Sequence, residues 1–288
     1  MTAAEIFASG YLTSIVLRAL VVGVLVSLCS AMLGVSLVLR GNSMIGDGLS
    51  HVGFFALAVA AVAGVGGTFS MEISIPIVIA AAVLILRLSG KSGISGDAAC
   101  AVVSTGAVAV GTIMYNVTGG KSGDICSSLF GSSSAVTISN KDMLISVALS
   151  AVVIVWFVLF AKHVFAVTFD ETFTRAAGVR TDVLTLALAV LTGVTIVVGM
   201  KMMGSIMISA LIVFPALSAM RLTKSYRLTV ILSCIISVVC FTAGFLASCF
   251  FSLQTGAAVV TEELVFFLLA CVWEKVRVQV RKKSGDVK

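Results

Sequence analysis

Nine apolar runs, each about long enough to cross a hydrocarbon layer roughly 30 Å thick as a helix, follow one another along this chain. They lie near 12–39, 45–63, 72–88, 97–117, 143–161, 183–200, 203–220, 228–250 and 257–273. Lipid offers no hydrogen-bond partner to an exposed backbone, so such runs fold as helices and leave little room for another architecture. The expected fold is an all-α polytopic membrane protein with eight to nine transmembrane helices. Residues 1–275 form its membrane domain, and 276–288 a basic cytoplasmic tail.

Composition agrees. Of the 288 residues, 59% are hydrophobic and 11% charged, against about 25% charged in an ordinary soluble domain. A soluble enzyme, a disordered chain and a nucleic-acid binder are excluded. The net charge of +6 describes orientation instead, because cytoplasmic loops retain Lys and Arg. With nine spans, Arg40, Arg87, Lys91, Lys162, Arg175, Arg180, Arg221, Lys224, Arg227 and the tail from Lys275 fall on one side. Lys121, Lys141 and Lys201 fall on the other. The expected arrangement therefore puts the C-terminus inside the cell and the N-terminus outside, with the tail against anionic membrane lipids. An eight-span count reverses the N-terminus. The opening residues lack a basic leader, so no cleaved signal peptide is expected.

Small residues at helical spacing, as in Gly23, Ser27 and Ala31, read as close helix packing. Gly193, Gly199 and Gly204 surround a tight connection near Lys201, and Pro215 interrupts the backbone bonding of an apolar run. The seven cysteines form no CxxC pair and read as packing residues. Glu72, Glu262 and Glu263 fall at outer ends of spans, where solvated carboxylates are expected.

Three stretches carry functional chemistry. In Gly46-Asp47-Gly48-Leu49-Ser50-His51, Asp47 and His51 are four apart and share one helix face. Ionisable groups in a span are costly and mark pathways. A hard carboxylate oxygen with a borderline imidazole nitrogen suits Zn²⁺, Mn²⁺ or Fe²⁺ better than Cu⁺. The same spacing also serves an Asp–His hydrogen bond tying two helices together, or an interfacial Asp capping a helix. Two donors make an incomplete site, which a symmetric dimer could double.

The second stretch runs from Thr168 to Gly178. Thr168 and Glu171 are spaced as a capping box, and Gly178 can supply a left-handed stop. Phe169 and Phe173 lie on one stripe, with Asp170 and Arg175 elsewhere. So short a helix needs a partner: either the bilayer surface or a docked protein. The third stretch, 118–142, is rich in Gly and Ser around Leu129-Phe130-Gly131 and is long for a simple connection. No GxxxxGK[ST] loop for nucleotide phosphates occurs, nor any paired catalytic constellation.

Met44 to His51 resembles the MS..GD...H stretch of the bacterial ABC-type zinc/manganese/iron permeases, the ABC-3 group. Ala177-Gly178-Val179 followed by Val198 to Ala216 resembles that family's second signature, and Leu129-Phe130-Gly131 with Ala135-Val136-Thr137 its third. The resemblance spans roughly residues 10–275. It implies a homodimeric permease without enzymatic activity of its own, driven by separate ATPase subunits and supplied by an extracellular metal-binding solute-binding protein. It implies a bacterial cell membrane location, with no permanently bound cofactor and a divalent metal as cargo. It places Asp47 and His51 on the cation pathway. It makes the short cytoplasmic helix, about 169–178, the coupling helix that docks into the ATPase, with Phe169, Asp170, Glu171, Phe173 and Gly178 at that contact. Where relatives often carry Thr or Ala, this chain has Gly48-Leu49-Ser50. The rival expectation is an ion-coupled secondary transporter with Asp47 and His51 as a proton relay.

Overall fold

A computed structural model describes residues 10–64, 69–91, 95–117, 140–251 and 253–283, and every regular element among them is a helix. In chain order these are α1 (Gly10–Leu39), α2 (Ile45–Val62), α3 (Phe69–Lys91), α4 (Gly96–Val117), α5 (Asn140–Phe169), α6 (Glu171–Ala176), α7 (Thr181–Met203), α8 (Ser205–Leu222), α9 (Tyr226–Phe251) and α10 (Thr255–Lys283). Eight of them are long and apolar enough to cross a membrane. In α3 the apolar part is the shorter stretch Ile73–Leu88, so the expected eight to nine spans are found. Helices outrun their apolar windows: α5 continues past Lys162 and His163 to Phe169, and α10 continues to Lys283. The 118–139 part of the third stretch, with Lys121 and Cys126, lies outside the described residues.

The bundle is built around α8, which touches α1, α2, α7, α9 and α10. Met207, Ile208, Leu211 and Ile212 of α8 are fully buried. Lipid tails are as apolar as these side chains, so helices associate here through close van der Waals contact and interhelical hydrogen bonds. The sequence supplies both. A Cβ on Gly34 would stand 2.1 Å from the Ile212 carbonyl oxygen, so α1 and α8 touch backbone to backbone. Gly23 lies against the Phe241 ring, while Ser27 and Ala31 are fully buried, as their spacing predicts. Ser237 Oγ donates to the Ser27 carbonyl at 3.1 Å, and the Ser36 and Tyr226 hydroxyls meet at 3.0 Å. Both bonds join α1 to α9.

The outward faces of α4, α5 and α10 are apolar, with Val102, Ile113, Leu159, Leu268 and Trp273 among their exposed side chains. That is the surface a lipid-facing helix requires. The six described cysteines are all unpaired.

Two expectations are corrected. Glu263 is not a solvated carboxylate: it lies in the third turn of α10, 1% exposed, and neither side-chain oxygen has a partner among the described residues. Its helix begins at Thr255, which places it about 12 Å along the axis, on the side facing the bundle. The tight link between α7 and α8 is Gly204 alone, not the region around Lys201, which remains helical. Its φ of +91° is open to glycine and strained for other residues.

Candidate functional site

The Asp47 and His51 side chains meet on the first two turns of α2. His51 Nε2 and Asp47 Oδ1 are 3.6 Å apart, beyond ordinary hydrogen-bond length. Asp47 is 44% exposed and His51 24% exposed, so neither is enclosed in the core. The second ring nitrogen, Nδ1, is buried without a partner among the described residues. Two metal–donor bonds of about 2.0–2.2 Å, meeting at roughly 110–125°, span about 3.3–3.9 Å. A separation of 3.6 Å fits one shared ion. The i, i+4 spacing is also the one by which two metal-binding side chains share a helix face.

The alternative of a helix-capping Asp47 does not hold, because Met44 occupies the N-cap position and Asp47 lies within the first turn of α2. Nor does Asp47 tie α2 to another helix through His51, since both belong to α2. That tie is made by Ser209 of α8. Its Oγ donates to Ser50 Oγ at 3.1 Å, while Ser50 Oγ donates to the Asp47 carbonyl at 2.7 Å. Neither serine was legible as a partner, because 159 residues separate them. On the other side, a Cβ on Gly48 would meet Cys100 Cβ at 3.4 Å, so glycine here lets α4 pack against α2. Among the described residues no three His, Cys, Asp or Glu side chains converge on one point. The pair offers two donor atoms.

The second stretch forms α6, shorter than the expected 169–178. Thr168 does not cap it. Thr168 remains in α5, where its hydroxyl bonds the Val164 carbonyl at 2.6 Å, and Phe169 closes that helix. The cap is Asp170, whose Oδ1 accepts from the Phe173 N–H at 2.8 Å and from the Thr172 hydroxyl at 2.7 Å. These bonds, the backbone one first, hold the Asp170 carboxyl below its ordinary range. Gly178 ends the helix as expected, at φ +86°. Its N–H reaches the Arg175 carbonyl at 3.1 Å and Val179 N–H the Thr174 carbonyl at 3.3 Å, a Schellman pair. A six-residue helix is marginal alone, and these two ends hold it.

Both phenylalanines are exposed, Phe173 on α6 at 71% and Phe169 at the end of α5 at 61%. Phe169 packs with Phe165 and Tyr226, at ring separations of 4.8 and 6.1 Å, and so binds the end of α5 to the start of α9. Glu171 turns inward to Arg40, Nη2 to Oε2 at 2.7 Å, and its other oxygen takes Arg175 at 3.3 Å. Arg175 continues to Asp182 at 2.7 Å. An exposed pair contributes about 0–1 kcal/mol, but the Arg40 side chain is 11% exposed. Stripping such a charge of its partner is far more costly, up to about 3–5 kcal/mol for a fully buried pair. The chain of charges lines a cleft of about 1150 Å³, which Asn42, Ile45 and Arg87 also border.

An all-helical bundle with eight helices long and apolar enough to span and with outward apolar faces defines a multi-pass membrane protein. The model of the ABC 3 transport family matches residues 13–274, and the chain belongs to that family. It is 28% identical over 265 residues to a probable iron transport system membrane protein of Haemophilus influenzae, covering 91% of this chain and 94% of the relative. It is 26% identical over 253 residues to the manganese import system permease protein ScaB of Streptococcus gordonii, covering 88% and 89%. The structure of PsaBC from Streptococcus pneumoniae in complex with Fab superposes with a TM-score of 0.78 at 25% identity, covering 93% of each chain.

Proposed function

We propose that this chain is the permease subunit of an ABC importer that carries a divalent transition metal, zinc, manganese or iron, into the cell. Asp47 and His51 hold the ion in transit. The observation that carries this reading is their 3.6 Å approach on a partly exposed face of α2, in a chain of the ABC 3 transport family. Two donors, with His51 Nδ1 lacking an acceptor among the described residues to fix the ring, make a weak site. Weak binding suits a pathway, since the ion must also leave. A homodimer brings a second pair and supplies further donors.

The end of the bundle holding Arg40, Arg175 and Arg221 is cytoplasmic, and so is the C-terminus, by the excess of Lys and Arg there. At that end α6 is the coupling helix, with exposed Phe173 as the anchor seated in a separate ATPase subunit. Asp170 and Gly178 fix the ends of the helix, while Glu171 faces the permease. An extracellular solute-binding protein delivers metal to the opposite end. ATP binding closes the ATPases, α6 moves with them, and access to Asp47 and His51 alternates. Family membership favours this over proton-coupled secondary transport.

The test is radiotracer uptake in cells lacking their own metal importers, supplied with this permease, its ATPase and its binding protein. Energy-dependent accumulation of manganese, zinc or iron is expected, and the preferred ion names the cargo. Uptake no greater than in cells without the permease refutes the reading.

A further inference from the structure

The geometry points to Arg40 as the joint through which movement of α6 reaches the helix that carries Asp47 and His51. This inference rests on the importer reading above and assigns a positioning residue within it. Arg40 directly follows α1, and its side chain is almost enclosed. One guanidinium nitrogen donates to Glu171 of α6 at 2.7 Å, and another to the Thr185 hydroxyl of α7 at 2.9 Å. The planar fork that serves both cannot be reproduced by lysine. Glu171 is shared with Arg175, which is anchored to Asp182 at 2.7 Å and to the Thr181 hydroxyl at 3.1 Å. α6 is therefore fastened to the start of α7 through Arg175 and to the end of α1 through Arg40.

The turn between Arg40 and α2 is stiff. Gly41, at φ +72°, returns its N–H to the Val38 carbonyl at 3.1 Å, and Asn42 returns its own to Leu37 at 3.1 Å. These bonds close α1 as a Schellman turn. The Ile45 N–H then bonds the Asn42 carbonyl at 3.3 Å, and Gly48 N–H the Met44 carbonyl at 2.8 Å, so α2 begins without slack. Asp47 is only seven positions from Arg40. Asn42 and Ile45 line the same cleft as Arg40 and Glu171, which leaves open volume into which the joint can move. A pull on Glu171 thus displaces Arg40, the bonded turn and the first turn of α2 together. Ser50, tied to Ser209 of α8, is the point against which α2 turns. A physical link of this kind requires an element with two arrangements that both sites bias. In the proposed joint that role falls to α2 with its preceding turn.

The experiment uses the permease co-expressed with its ATPase and reconstituted in liposomes, comparing wild type, Arg40→Glu, Arg40→Gln and the exchanged pair Arg40→Glu/Glu171→Arg. Three quantities are read: ATPase retained on purification, ATP hydrolysis, and metal transported per ATP hydrolysed. The joint predicts that both single variants retain the ATPase and still hydrolyse ATP. Their metal transported per ATP falls at least about fivefold, the lower end of ordinary coupling energies, and the exchanged pair recovers most of it. Three results overturn the proposal: unchanged metal per ATP in the single variants, loss matched by loss of the ATPase itself, or failure of all three variants to fold. A wild-type permease that retains no ATPase defeats the importer reading instead, and is told apart because it appears before any substitution is made.

Discussion

Ile212 offers two tests of how the bundle is held, because two glycines approach it from different sides. A methyl group on Gly34 would stand 2.1 Å from the Ile212 carbonyl oxygen, 2.9 Å from its carbon and 3.1 Å from its Cα. All three are backbone atoms of α8, so only separation of α1 and α8 relieves the contact. Overpacking of a close-packed site costs about 1–3 kcal/mol, while alanine gains about 0.8–1 kcal/mol over glycine within a helix. Backbone against backbone puts the clash at the upper end, leaving Gly34→Ala destabilised by roughly 1–2 kcal/mol. On Gly46 the same methyl would meet the Ile212 Cδ1 at 3.1 Å, the far end of a flexible side chain that yields by a few tenths of an ångström. The propensity gain then about cancels the cost, and Gly46→Ala is close to neutral. Thermal unfolding of the two purified variants in the same detergent measures the difference. Gly34→Ala should unfold well below wild type and Gly46→Ala near it. Because α8 carries Ser209, Gly34→Ala should also reduce transport. A Gly34→Ala protein as stable as Gly46→Ala would falsify the backbone contact and the central place given to α8.

Other consequences attach to single residues. Phe173→Asp puts a charge at the proposed aromatic anchor, and ATPase co-purification should fall at least about tenfold with expression unchanged; unchanged co-purification refutes the docking role. Glu263→Met replaces a buried carboxylate whose oxygens have no partners among the described residues with an apolar side chain of similar length. It should raise thermal stability by about 1–3 kcal/mol, and a fall in stability would contradict the burial. Asp170 titrates below the ordinary carboxyl value of about 3.9 because the folded helix bonds its anion. Its contribution is therefore complete above that value and is lost as pH falls through the lower folded one. Amide exchange over 170–178 should show α6 fraying on acidification, and in Asp170→Ala already near neutral pH; equal protection in both proteins at neutral pH refutes the cap.

Most of the fold was legible because lipid forces backbones to pair within a segment, so an uninterrupted apolar run has one outcome. Helix ends were less legible, since hydropathy reports the thickness of the bilayer rather than the length of a helix. Lys162 and His163 stop the apolar window but not α5, which carries Thr168 into its last turn and passes the cap to Asp170. Gly178 was legible because a left-handed stop has few other residues to choose from. The proximity of Asp47 and His51 was equally legible, because their spacing is local. The face of Glu263 was not: an apolar helix such as α10 shows no period that separates inside from outside. Nor did local patterns reveal Arg40 with Glu171, or Ser50 with Ser209, which lie 131 and 159 positions apart. These long-range contacts are thus the ones that only the folded chain brings together.

The most direct test of the central claim is metal transport by the complete complex carrying Asp47→Ala or His51→Ala, reconstituted with its ATPase and given metal-loaded binding protein. Each variant is first shown to unfold at the wild-type temperature and to retain the ATPase. Both are expected to hydrolyse ATP yet pass no more metal than empty liposomes. Transport at the wild-type rate in both variants would contradict a place for Asp47 and His51 on the metal pathway.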